Sequence, residues 1–355
     1  MPLLIGALAH PLLRMRLAPE AVKAAPLNGK LQGGAMAGLK LAGFPGLIPG
    51  EGHIPAWDSP WTDELRRYAR IFGLTPRDID GRDVLGLDDD LGHGAWQPEL
   101  AAAMADWVLD RLRDKPPEAI RPRLPMIAGW IASRMRAEAE TRHLPKLGPS
   151  GDDRVRHAAW DEPYGDYFSV ESHVLHQRRH RGDWSPDMRR AVFVSGDATV
   201  VLPWDPVRDR VMLIDQFRAG PVARGDAQPW LYETVAGRVD AGETPEQAAL
   251  REGIEEAGLA ISRLIPGPQN YPSPGMLAEY LYLFIGIADL PDDAAGFGGL
   301  EIEDEDIRSH VVARSELTRI ALAGELRNGP LLTLALWFEL NIDRIRAELD
   351  DSPTA

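Results

Sequence analysis

Three glutamates, Glu252, Glu255 and Glu256, crowd into the end of the stretch GRVDAGETPEQAALREGIEEAGL (237–259). On a helix their i, i+3 and i+4 spacing brings the side chains within reach of a common point, where like charges cost about 0.2–0.5 kcal/mol per pair. They also lie toward the negative end of the helix dipole, which opposes carboxylates. Something positive must offset both effects. Oxygen ligands with room for water and phosphate are what Mg²⁺ prefers, so the pattern points to a divalent-ion site that handles phosphates. A solvated acidic face is the other reading of three such acids taken alone.

The elements that would position these acids are legible around them. Thr244 is a good N-cap, Pro245 suits the first helical position, Gln247 completes a capping box, and Gly258 stands where a closing glycine belongs. These signals predict a helix of about fourteen residues. Leu250, Ile254 and Ala257 fall on one side of it and are expected to form the buried stripe. The carboxylates fall opposite, with small Ala248 and Ala249 leaving room above them. Before the helix, the apolar run WLYETVAG (230–237) reads as one strand that feeds a glycine-rich turn, Gly237 to Gly242.

The stretch resembles the signature of the Nudix hydrolases: Gly, five residues, Glu, seven residues, Arg-Glu-apolar-x-Glu-Glu-x-Gly-apolar. Gly237, Glu243, Arg251, Glu252, Glu255, Glu256, Gly258 and Leu259 match it. Gly253 departs, standing where an aliphatic residue is usual, and a glycine there costs a helix about 0.5–1 kcal/mol. The resemblance implies that Glu252, Glu255 and Glu256 bind divalent ions, Mg²⁺ with Mn²⁺ as a substitute, and counts Glu256 among the catalytic groups. It also implies that the Ala236 carbonyl completes one coordination shell. Gly237, Glu243 and Arg251 would be structural, the last two pairing to hold the loop on the helix.

Residues outside this box narrow the resemblance. Pro274 lies sixteen residues after Gly258, as in the ADP-ribose pyrophosphatase subgroup, and DPVRDRVMLIDQFRAG (205–220), PWLYETVAG (229–237) and EDEDIRSHVV (303–312) are similar to that subgroup as well. The similarity runs over residues 160 to 345. It implies that Arg190 and Arg218 contact the nucleotide and its phosphates, that Pro274 and Glu279 sit near the substrate, and that Tyr167 stacks on adenine from a partner subunit of a homodimer. Glu303 would be the general base, with Glu305 as second candidate. Other readings stay open: Arg218 as a surface residue, Tyr167 as core, and the five acids of 301–306 as a solvated loop. The implied activity is Mg²⁺-dependent hydrolysis of ADP-ribose to AMP and ribose 5-phosphate. Alternatives are another nucleoside diphosphate sugar, such as GDP-mannose, or a sensor that binds ADP-ribose without cleaving it.

Composition bounds the rest. At 355 residues two domains are expected, and 44% apolar residues suffice for packed cores. The absence of cysteine excludes disulfides and thiolate metal sites and fits a cytoplasmic protein. A net charge of −15 argues against nucleic acid as partner. No run of about eighteen apolar residues offers a membrane span. MPLLIGALAHPLL lacks the basic start of a signal peptide and reads as a strand and turn.

The expected division is an N-terminal α+β domain over 1–143, a linker over 144–154, and a C-terminal α/β/α sandwich with a mixed sheet over 155–355. In the first part, GLKLAGFPGLIPG (38–50) reads as a strand and ELAAAMADWVLDRLRD (99–114) and LPMIAGWIASRMRAEAE (124–140) as helices. This part weakly resembles gamma-glutamylcyclotransferase-like proteins. Of their Tyr-Gly-Ser-Leu motif, Ile5-Gly6-Ala7-Leu8 keeps only the glycine and leucine, and no acid matches the catalytic glutamate, Glu64 being the nearest. An inactive scaffold, serving as an interface or regulatory module, is therefore expected there. His10, His53 and His93 lack metal-ligand spacing.

Overall fold

The computed structural model describes residues 1–32, 46–86, 97–141, 154–300 and 305–350. Glu303, His93, residues 38–45 of the expected strand and all but the last residue of the expected linker lie outside these ranges. By internal packing the chain divides into two compact units, Met1–Arg189 with Asp240–Gly242, and Arg190–Val239 with Glu243–Ala355. No helix among the described residues is long and apolar enough to cross a membrane.

The first unit is built on a five-stranded sheet in the order β2-β3-β1-β5-β4. Its strands are β1 (Leu3–Ile5), β2 (Val22–Gln32), β3 (Gly46–Asp58), β4 (Thr75–Ile79) and β5 (Arg82–Gly86). The opening segment is only briefly a strand. After Ile5 it winds through a 3₁₀ turn, Gly6–Ala9, into helix α1 (Pro11–Leu17), with Pro11 at the first helical position. Four further helices follow: α2 (Asp63–Phe72), α3 (Pro98–Asp106), α4 (Pro117–Ile120) and α5 (Leu124–Thr141). The helix expected over 99–114 ends sooner as α-helix, continuing as a π turn at Trp107–Arg111.

Strands β6 (Val155–Gly165) and β7 (Ser169–Gln177) form a hairpin that extends into a sheet β6-β7-β8, where β8 (Met188–Val194) carries the chain across the division. The expected boundary puts 155–189 with the C-terminal domain, whereas packing puts it with the first unit. Two buried acids explain why. Glu162, 2% exposed, accepts hydrogen bonds from Arg123 Nη1 at 3.0 Å, Arg123 Nη2 at 2.6 Å and Ser169 Oγ at 2.9 Å. Glu171 accepts from Arg134 and, at 3.0 Å, from Trp160 Nε1. Pulling the hairpin off these helix-borne arginines would strand buried charge, at a cost of about 3–5 kcal/mol per pair.

The second unit is a mixed eight-stranded sheet covered on both faces. Its strands are β9 (Ala198–Asp205), β10 (Arg210–Phe217), β11 (Trp230–Glu233), β12 (Val235–Arg238), β13 (Arg263–Asn270), β14 (Leu281–Ile287), β15 (Phe297–Gly298) and β16 (Ile307–Ala313). The order is β13-β14-β9-β10-β16-β15, with β11 on β10 and β12 on β9. β14 runs parallel to β9 and the other neighbours pair antiparallel. One face carries α8 (Arg314–Leu322) and α9 (Gly329–Asp350), whose Leu317, Leu331, Leu334 and Phe338 pack with Val200, Leu202, Trp204 and Leu283. The other carries α7 (Pro245–Ala257), whose Ala249 packs with Val201, Val235 and Phe284. This is the expected α/β/α sandwich. A short helix, α6 (Ala219–Arg224), links β10 to β11.

The run WLYETVAG is two strands rather than one. β10 pairs with β9 only at Arg210 and Val211, so the sheet forks there, and 230–238 crosses the fork: β11 pairs with β10 and β12 with β9. Thr234, at the crossing, donates its hydroxyl to the Val201 carbonyl. The crossing sets Ala236 opposite Val200 of β9, where its N–H reaches Glu256 of the helix that follows.

A candidate divalent-ion site on helix α7

Helix α7 forms as its signals predict. Thr244 Oγ1 accepts from Gln247 N at 3.2 Å, Gln247 Oε1 accepts from Thr244 N at 2.9 Å, and Gly258 closes the helix at φ 62°. The face it buries is the reverse of the expected one. Ala248, Ala249, Glu252, Gly253 and Glu256 are buried, while Leu250 is 39% and Ile254 63% exposed. The reason is close approach: alanines and a glycine let the helix sit low on the sheet, so its carboxylates reach β12. A Cβ on Gly237 would lie 1.9 Å from Glu252 Oε1, and one on Gly253 would lie 2.8 Å from Ile261 Cδ1. The two departures, glutamates inward and Gly253 in place of an aliphatic residue, are thus one fact of packing.

The three box acids do not share one point. Arg251 Nη1 donates to Glu252 Oε1 at 2.7 Å and to Glu255 Oε2 at 2.8 Å, while Nε and Nη2 grip Glu243 at 2.8 and 3.2 Å. Nη2 also donates to the Arg238 carbonyl at 3.0 Å, which ties the glycine-rich turn to the helix. Glu256 turns away and accepts from Ala236 N at 2.9 Å. Among the described residues, no three acidic or histidine side chains converge on one ligand position. The offsetting cation in this arrangement is therefore Arg251. Burial works against its charge, but Glu243, Glu252 and Glu255 outweigh it and hold its proton more tightly than usual.

Two glycines, Gly298 at the end of β15 and Gly299 after it, lie close against the end of α7. A Cβ on Gly298 would lie 1.9 Å from the Glu256 carbonyl oxygen, and Gly299, at φ 96°, donates its N–H to the Glu255 carbonyl at 3.2 Å. These contacts bring Glu305 against the C-terminal half of α7, where its charge acts on Glu252 and Glu256. Burial pushes Glu256 up to about 8, with Glu252 and Glu305 adding to it, and pushes Glu252 up to about 7 against the opposing charge of Arg251. Buried carboxylates with proton affinities this high are an oxygen donor set that a divalent cation would relieve, so the residues fit such an ion.

The same shifts fix the pH dependence of the metal-free protein. The folded-state pKa of each acid is raised, so the stability it confers is complete below the ordinary glutamate value and is lost as pH rises through about 7 and 8. Thermal unfolding in chelator is expected to show a midpoint falling by several degrees between pH 6 and 9. Saturating Mg²⁺ should raise the midpoint more at pH 9 than at pH 6. A midpoint that rises over this range would contradict the assignment.

Beside these acids stands Arg218, at the end of β10, gripped by Glu233 and acted on by the charges of Glu256 and Glu305. Glu279 precedes β14. Burial raises its pKa, while a 3.3 Å hydrogen bond from Ser195 Oγ and the charges of Arg238 and Arg218 oppose. The structure thus gathers Ala236, Gly237, Glu243, Arg251, Glu252, Glu255, Glu256, Glu305, Arg218 and Glu279 within the second unit. Arg190 on β8 and Pro274 in the turn before β14 belong to the same unit but are exposed, and Tyr167, edge-on to Phe168 at 4.8 Å, is exposed in the β6–β7 turn of the first unit. Sequence reading passed over Glu233, Ser195 and Arg238. Only the placement of Glu233 in the strand beside Arg218 could have hinted at the first, and no local signal marks the others.

A family profile described as NUDIX domain matches residues 195–329. The chain is 36% identical over 198 residues to the "ADP-ribose pyrophosphatase" of Escherichia coli (strain K12), covering 56% of this chain and 94% of that protein. It is 34% identical over 185 residues to the "ADP-ribose pyrophosphatase" of Haemophilus influenzae (strain ATCC 51907 / DSM 11121 / KW20 / Rd), covering 52% and 85%. It is 30% identical over 181 residues to the "GDP-mannose pyrophosphatase" of Enterobacter sp. (strain 638), covering 51% and 93%.

Proposed function

The chain belongs to the Nudix hydrolases, and we propose that within this family it cleaves ADP-ribose with water to AMP and ribose 5-phosphate. The observation that carries the reading is the pair of buried acids Glu252 and Glu256, which feel the charge of half-buried Glu305 and fit a divalent ion, acting with the guanidinium of Arg218, which fits a phosphate. Similarity over 94% of an ADP-ribose pyrophosphatase supports the choice of substrate.

The divalent ion would be Mg²⁺, with Mn²⁺ as a substitute, held by Glu252, Glu255, Glu256 and the Ala236 carbonyl. When bound, it would neutralise phosphate charge and lower the pKa of a water. The chain's own residues do the rest. Arg251, anchored by Glu243, holds the glycine-rich turn on α7. Arg218 and Arg190 grip the diphosphate, and Glu279 and Pro274 border the substrate. A carboxylate of the acidic loop, Glu303 or Glu305, takes the proton of the attacking water. Tyr167 stacks on adenine, supplied by the second subunit of a homodimer. The first unit serves as a scaffold without catalysis of its own, a reading supported by the absence of an acid in its sequence that matches the catalytic glutamate of gamma-glutamylcyclotransferase-like proteins. The protein works in the cytoplasm, on a small-molecule substrate, with neither nucleic acid nor membrane as partner.

A second reading is hydrolysis of another nucleoside diphosphate sugar, favoured by the 30% identity to a GDP-mannose pyrophosphatase. A panel of ADP-ribose, GDP-mannose and UDP-glucose, with and without Mg²⁺ and read by product mass, separates the two. AMP and ribose 5-phosphate as the dominant, Mg²⁺-dependent products are expected. Faster cleavage of GDP-mannose would replace the first reading with the second.

A further inference from the structure

Glu233 is 4% exposed, and the family resemblance assigns it no role. It sits on β11 opposite Ile214 of β10, and both its oxygens are taken by Arg218: Oε1 accepts from Nε and Oε2 from Nη2, each at 2.9 Å. A two-point fork fixes the plane of a guanidinium as well as its position. The arginine's backbone is tied too, since Arg218 N donates to the Pro229 carbonyl at 2.9 Å. Among the described residues Nη1 donates no hydrogen bond, and the Arg218 side chain remains 42% exposed. A buried acid needing only compensation would be served as well by a fully enclosed partner, and a buried ion pair adds little net stability over an apolar one. Here Nη1 is left over from the fork, on a guanidinium that feels the charges of Glu256 and Glu305.

We propose that Glu233 is a positioning residue: it clamps Arg218 by Nε and Nη2 so that the Nη1 edge is presented to the diphosphate of the substrate. This rests on the reading of the second unit as a nucleoside diphosphate sugar hydrolase. Glu233 touches no substrate and acts only through Arg218.

The test is a double-mutant cycle on the full chain with ADP-ribose and Mg²⁺, using Glu233→Gln, Arg218→Ala and the pair. Glu233→Gln is expected to raise KM about tenfold with kcat within about threefold of wild type. In the Arg218→Ala background the same change should have no further effect on kcat/KM, because the residue it serves is gone. A KM within twofold of wild type for Glu233→Gln, or a double variant whose loss is the product of the single losses, overturns the proposal. Should Glu233→Gln fail to fold, Arg218→Lys carries the test: it keeps the charge and one contact to Glu233 but loses the fork. A KM raised about tenfold at an unchanged thermal midpoint supports the clamp, and an unchanged KM overturns it. If wild type cleaves no nucleoside diphosphate sugar, it is the functional reading that fails. If wild type cleaves one and the cycle is additive, only the clamp fails.

Discussion

Glu256→Gln is expected to lower kcat on ADP-ribose by on the order of 10²–10³-fold while raising the thermal midpoint of the metal-free protein above pH 8. The opposed directions come from one property. Glu256 is 3% exposed, and burial holds its pKa near 8, so above that pH the protein carries a charge its surroundings disfavour. Glutamine has the same shape, and its side-chain oxygen can still accept from Ala236 N, so the substitution removes the disfavoured charge while keeping the contact. The catalytic loss follows from that same charge, which the divalent ion needs. Steady-state kinetics together with melting in chelator read both effects. Unchanged turnover would remove Glu256 from the ion site, and a lower midpoint at high pH would show that its carboxylate is comfortable where it lies.

Arg251→Glu should be the most damaging single change to folding. The guanidinium touches Glu243, Glu252 and Glu255 at 2.7 to 3.2 Å and the Arg238 carbonyl at 3.0 Å, so reversal places a fourth carboxylate where three share one cation. Removing one partner of a largely buried ion pair costs about 3–5 kcal/mol, and reversal exceeds removal. A midpoint lowered by about 10 °C or more in chelator is expected. Because the variant has more uncompensated negative charge than wild type, Mg²⁺ should recover a larger part of its stability. A midpoint within about 2 °C of wild type would mean that Arg251 is dispensable to the turn it holds.

Much of the site was legible in the chain itself. Thr244, Pro245, Gln247 and Gly258 determine where α7 starts and stops, because caps act through hydrogen bonds within a few residues. The spacing of Glu252, Glu255 and Glu256 and the reach from Glu243 to Arg251 are likewise local, and both pointed to an acid-rich phosphate chemistry. The layered architecture followed from the match of the whole pattern. Hydrophobic periodicity misled on one point, the buried face of α7. It assumes that apolar residues go inward, and here alanine, glycine and glutamate do so because the helix must lie close to β12.

Tertiary structure decided what depends on distant strands. Thr234 divides one apolar run between two strands because the sheet forks at β9 and β10, and no local propensity encodes a fork. Glu233 meets Arg218 because β11 pairs with β10 in a particular register. The hairpin 155–177 joins the first unit because Arg123 and Arg134, more than thirty residues upstream, meet Glu162 and Glu171. In the last two cases the deciding energy is that of burying a charge beside a partner on another element, and in the first it is the pairing of backbone and hydroxyl groups across the fork. Such a term exists only once the chain has closed on itself, and so it leaves no mark in the order of the residues.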